Sequence, residues 1–117
     1  MKKIYHLATC STNKRILNEI APIDKFDIQE IKSTPITETQ IEEMYALSKS
    51  YEALFSKRAI KYKELGLKDK NLNESDFKEY ILSNYTFLKR PVAIIDNEIF
   101  IGNSKKSIEA LKNRIHD

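Results

Sequence analysis

The chain has 117 residues, of which 41% are hydrophobic and 32% charged, a composition that suits one soluble globular domain over residues 1–117 and excludes a disordered chain. No apolar run approaches the roughly 20 residues of a membrane helix, and the basic start Met1-Lys2-Lys3 has no apolar stretch behind it, so a cleaved signal is not expected and the cytoplasm is the default compartment. The 20 basic and 17 acidic residues leave a net charge of +3, too small to call for direct nucleic-acid or membrane binding.

Lys3-Ile4-Tyr5-His6-Leu7 reads as a short strand rich in β-branched and aromatic residues. Small and polar residues from Ala8 to Asn13 follow as a loop. Ile16, Leu17 and Ile20 then form the stripe of an amphipathic helix starting near Ser11, and Pro22 ends it. Phe26 to Ile31 alternates apolar and polar, which predicts a second strand. Thr37 to Gln40 has capping-box spacing, followed by Ile41, Met44, Tyr45 and Ser48 on one helical face. Tyr51, Leu54 and Phe55 continue a similar pattern, which places Lys57 and Arg58 on a helix, where a solvated face is the ordinary reading. Gly66 is expected to close a helix. Asn73 to Asp76 opens another, carrying Phe77, Tyr80, Ile81 and Tyr85.

After Arg90-Pro91 the character changes. Val92-Ala93-Ile94-Ile95 and Glu98-Ile99-Phe100-Ile101 read as two strands joined by an Asp96-Asn97 turn, hence antiparallel. Gly102 ends the second, and Ser104 or Asn103 caps a last helix with Ile108, Leu111 and Ile115. The predicted fold class is α/β: a thioredoxin-like, mixed four-stranded sheet with a helical insertion over about 37–88.

Cys10 is the one cysteine. It rules out an internal disulfide and suits a reducing compartment. His6 and His116 lie at opposite ends of the chain, and no Cys/His cluster has metal-site spacing, so no metal is expected. Cys10 falls between the first strand and the first helix. Unpaired N–H groups of a helix's first turn act as partial positive charge. They favour the thiolate, which is the nucleophile, and can hold an oxyanion. Lys14 and Arg15 add charge within one turn, and Ser11, Thr12 and Asn13 add short polar side chains. Free cysteines also serve as buried filler, but these polar neighbours argue for the functional reading. Position 13 is Asn13, not a second cysteine, so redox turnover needs an outside thiol. Pro91 opens a strand and is a candidate for a cis bond. In a thioredoxin-like layout it lies opposite the thiol, and Arg90 supplies a forked cation there. Read alone, Arg90 is a surface arginine before an edge-strand proline, and His6 is a satisfied strand histidine.

Several stretches together resemble the glutaredoxin-coupled arsenate reductase family, which includes the Spx-type regulators. Ile4-Tyr5-His6 through Cys10-Ser11-Thr12-Asn13-Lys14 is similar to its I-Y-H-N-P-x-C-x-x-S-R, with Leu7-Ala8 in place of Asn-Pro. Leu54-Phe55 through Tyr62-Lys63-Glu64-Leu65-Gly66-Leu67 is similar to its L-L-x(n)-Y-x-E-L-G-L, and Leu88-Lys89-Arg90-Pro91-Val92 to its I-x-R-P-I. The resemblance implies that Cys10 attacks arsenate or another small oxyanion, that Arg90 and Lys14 help to bind it, and that His6 tunes the thiol. It also implies glutathione as co-substrate, with no bound cofactor, and glutaredoxin or thioredoxin as partner to a monomer. Of the family's three pocket arginines only Arg90 is present: Ser56 and Gly102 stand at the others, with Lys57 and Arg58 beside the first. This pattern leaves two further expectations: a glutathione-conjugate substrate, or an Spx-type adaptor on RNA polymerase with Cys10 as redox sensor or remnant.

Overall fold

In the computed structural model, which describes residues Met1–Asp117, the elements run β1 (Lys2–His6), α1 (Ser11–Ile20), β2 (Asp27–Glu30), α2 (Glu38–Ser48), α3 (Ile60–Glu64), α4 (Glu74–Ser83), β3 (Val92–Ile95), β4 (Glu98–Ile101) and α5 (Lys105–Ile115), with 3-10 turns at Glu52–Leu54, Leu67–Asp69 and Tyr85–Phe87. The strands form one sheet in the order β2-β1-β3-β4. β1 pairs with β2 in parallel, and β3 pairs antiparallel with β1 and β4. This is the mixed, thioredoxin-like sheet that the order of elements predicts.

The chain divides into two compact units, Met1–Thr34 with Arg90–Asp117, and Pro35–Lys89. The first holds the sheet. Ile4, Ala93 and Ile95 lie on one sheet face, and Ile16 and Ile20 of α1 and Ile108 and Leu111 of α5 pack on it. Burying each such side chain contributes about 1.5–3 kcal/mol, so the helical stripe on α1 is what fixes its place. Tyr5, Val92 and Ile94 fall on the opposite face and are buried too. The β3–β4 hairpin closes with Ile95 opposite Glu98. Asp96 there has φ +53, a left-handed conformation that Asp tolerates better than most residues. α5 is capped by Ser104, whose Oγ accepts from the Ser107 N–H at 3.2 Å.

The second unit is built on caps and aromatic rings. Thr37 and Gln40 form a capping box on α2, with reciprocal bonds of 3.1 Å. Asn73 and Asp76 form another on α4, both bonds at 2.9 Å. The Phe55 ring stacks on Phe87 at 5.2 Å and meets Phe77 at 4.9 Å and Tyr62 at 5.8 Å. Gly66 adopts φ +64 just past Leu65, the C-cap of α3, as a closing glycine does.

One expectation fails here. The helical pattern does not continue from α2 through Phe55: Lys49 turns left-handed (φ +62) and ends the helix. A 3-10 turn at Glu52–Leu54 follows, its Tyr51 and Glu52 N–H groups held by the Glu74 carboxylate at 2.7 and 3.1 Å. Lys57 and Arg58 therefore lie in an exposed turn ahead of α3, not on a helix. The apolar spacing of Tyr51, Leu54 and Phe55 reflects a 3-10 turn and the Phe55–Leu88 bridge, which periodicity alone does not separate from a helix. Pro91 opens a strand as expected, and the plain alternative of an edge-strand proline does not hold. β3 is an inner strand, and Pro91 is buried.

Candidate functional site

The register brings four chain segments to one end of the sheet. His6 stands opposite Glu30, Tyr5 opposite Val92, and Val92 opposite Ile101. The end of β1, the turn after β2, Arg90-Pro91 and Gly102 therefore meet there. The Gly102 N–H donates to the Pro91 carbonyl at 2.9 Å. The Arg90–Pro91 peptide bond is cis. A second cis bond, Ala21–Pro22, follows α1 and has no counterpart in the sequence reading.

Cys10 is the N-cap residue of α1. Its backbone is extended (φ −94, ψ 115), its carbonyl accepts the Lys14 N–H at 3.1 Å, and its N–H donates to Leu7 O at 3.1 Å. The thiol is half-buried and unbridged, and no side chain caps the helix. The first-turn N–H groups of Ser11, Thr12 and Asn13 have no partner within the helix, the arrangement that attracts negative charge. Ser11, Lys14 and Arg15 are exposed, and Thr12 is half-buried.

Asn13 is not the open loop residue that the sequence suggests. It is fully buried (0% exposed). Its Oδ1 accepts the Leu7 N–H at 2.9 Å, and its Nδ2 donates to Cys10 Sγ at 3.7 Å.

Glu30, which the sequence reading passed over, holds the other side of the same loop. Its Oε2 accepts the Ala8 N–H at 3.0 Å, while Oε1 accepts the Lys32 and Ser33 N–H groups at 3.1 and 2.7 Å and the Ser33 hydroxyl at 2.8 Å. These bonds, the Ala8 N–H foremost, pull its carboxyl from 4.5 down to about 2. The turn bonds to Lys32 and Ser33 are local, but the main partner, Ala8, lies 22 residues away, and no sequence pattern signals it.

His6 ends β1 on the sheet face that α1 and α5 cover. Its Nδ1 is buried without a hydrogen-bond partner, so it is not the satisfied strand histidine of the sequence reading. Arg90 is half-buried just before Pro91. Arg58 belongs to the second unit, as does Ser56, whose N–H donates to Phe87 O at 2.7 Å. Gly102 adopts φ +84, a conformation that an arginine would occupy only with strain. No group of three or more His, Cys, Asp or Glu side chains is placed to hold a metal ion, and no helix is long and apolar enough to cross a membrane.

No curated protein matches the chain by sequence. Solved structures do match its fold. An arsenate reductase from Vibrio cholerae is similar at 17% identity, with TM-score 0.74 over 96% of this chain and 95% of that one. A protein from Streptococcus mutans described as a possible arsenate reductase is 26% identical, with TM-score 0.70 over 95% and 97%. An arsenate reductase (ArsC) related protein from Brucella melitensis is 22% identical, with TM-score 0.69 over 93% and 92%. A model of the ArsC family matches residues 5–111, which span the end of β1, the Cys10 loop, the inserted unit, Arg90-Pro91 and most of α5; the chain belongs to the ArsC family.

Proposed function

We propose that the chain is an arsenate-reductase-like thiol oxidoreductase in which Cys10 is the nucleophile and an external thiol completes the cycle. One observation carries this reading: in a chain of the ArsC family, a half-buried thiol stands at the start of α1, at the sheet end that also holds the cis Arg90–Pro91 bond.

The Cys10 thiolate attacks arsenic(V). A sulfur–arsenic bond forms, and one arsenic–oxygen bond breaks, its oxygen leaving as water after protonation. Glutathione thiolate then attacks Cys10 sulfur. A disulfide forms, and the electron pair of the sulfur–arsenic bond stays on arsenic, which leaves as arsenite. Because Cys10 is the one cysteine, the remaining mixed disulfide is reduced by a third thiol, supplied by glutaredoxin or thioredoxin. The first-turn N–H groups of α1, Lys14 and Arg90 bind the oxyanion, Arg90 by its fork. His6, at the end of β1, is a candidate for tuning the thiol. In this reading the chain acts as a cytoplasmic monomer.

Purified protein with arsenate, glutathione and glutaredoxin is expected to release arsenite. Release no higher than that of Cys10→Ser would overturn arsenate as substrate. Two missing arginines favour a second reading. Each charge-assisted bond contributes about 1.5–3 kcal/mol, and Ser56 and Gly102 supply none. An Spx-type adaptor for RNA polymerase needs no oxyanion pocket. Recovery of polymerase subunits with the tagged chain from native extract supports that reading, and their absence counts against it. A glutathione conjugate as substrate would show as turnover without arsenate.

A further inference from the structure

We propose that Asn13 is a positioning residue for the Cys10 thiolate, filling with a neutral hydrogen-bond donor the place where a two-cysteine redox motif has its second thiol. This rests on Cys10 being the nucleophile.

A buried carboxamide is costly unless both of its ends are satisfied. Asn13 is fully buried three residues into α1's first turn, where Asn has no advantage as a helix former. Both ends are used. Oδ1 takes the Leu7 N–H at 2.9 Å, fixing the point where the chain leaves β1, and Nδ2 reaches Cys10 Sγ at 3.7 Å. One side chain thus ties the nucleophile to the loop that presents it.

No other side chain of similar size does both jobs. Aspartate keeps the acceptor for Leu7 but offers no donor to sulfur and adds a like charge. Serine is too short to span both partners. Cysteine is a weak donor and acceptor. A donor aimed at sulfur binds the thiolate more strongly than the thiol, so it favours the reactive form. It does so without a second sulfur, which leaves Cys10 open only to external thiols.

The test is alkylation of Cys10 in the full chain by iodoacetamide, followed by intact mass from about pH 5 to about pH 9. Asn13→Asp and Asn13→Ala are compared with wild type, with circular dichroism reporting the fold. In Asn13→Asp the rise of rate with pH is expected to move to higher pH, with alkylation about tenfold slower near pH 7. Asn13→Ala is expected to be slowed severalfold, and it carries the test if the aspartate variant does not fold. A folded variant that reproduces the wild-type profile overturns the proposal and leaves Asn13 as a loop tie alone. A wild-type chain that fails to reduce arsenate would sink the substrate assignment, yet this comparison would still be readable, because it follows only the sulfur.

Discussion

Glu30→Gln tests how the Cys10 loop is held. The wild-type carboxylate accepts four hydrogen bonds, one on Oε2 from Ala8 and three on Oε1 from Lys32 and Ser33. A glutamine has one acceptor oxygen and turns an NH2 toward the other set, so either Ala8 or the Ser33 pair loses its partner. The fall of the carboxyl from 4.5 to about 2 corresponds to about 3 kcal/mol in favour of the ionised form. Because the group is partly solvated, screening reduces this to roughly 1–2 kcal/mol. The folded value lies below the unfolded one. Glu30 therefore stabilises the fold above pH 4.5, and that contribution is lost as pH falls toward about 2. In urea titrations the variant is expected to be less stable than wild type by about 1–2 kcal/mol at neutral pH, and the gap closes as the pH approaches 2. Equal stability at neutral pH, or a gap unchanged in acid, would refute the reasoning.

Two other substitutions probe the inserted unit. Phe55→Ala removes the ring that meets Phe77, Phe87 and Tyr62 and is expected to cost about 3–5 kcal/mol, read as a lowered urea midpoint; a cost below about 1 kcal/mol would contradict the packing described. Thr37→Ala removes the α2 capping box and is expected to cost about 1 kcal/mol, with Thr37→Ser restoring most of it; equal losses in both variants would mean that the hydroxyl is not what matters.

The sheet was legible because each of its strands carries its own local sign. Alternation marks β2, β-branched runs mark β3 and β4, and the Asp96-Asn97 turn sets their antiparallel pairing. The capping residues Thr37, Asn73 and Ser104 were equally readable, since a cap and its partner lie within three residues. Cys10 could be placed at a helix start from the Ile16, Leu17 and Ile20 stripe that follows it. What escaped is long-range or competes with periodicity. Glu30 acts on Ala8 across a parallel strand pair, and its sequence neighbourhood looks like any exposed acid. Glu74 reaches back to Tyr51 and Glu52, which helped to hide a 3-10 turn behind helix-like spacing. The burial of Asn13 was obscured because polar residues around a loop suggest solvent, whereas its two hydrogen bonds satisfy it inside.

The most direct measurement is the alkylation rate of Cys10 in the native chain against the same chain unfolded in urea, both near neutral pH. An unfolded cysteine is only a few per cent thiolate at pH 7. A thiol held at the start of α1 with Asn13 donating to it is expected to react faster in the folded chain, despite being half-buried. A native rate equal to or below the unfolded rate would contradict the account, because Cys10 would then be packing rather than chemistry.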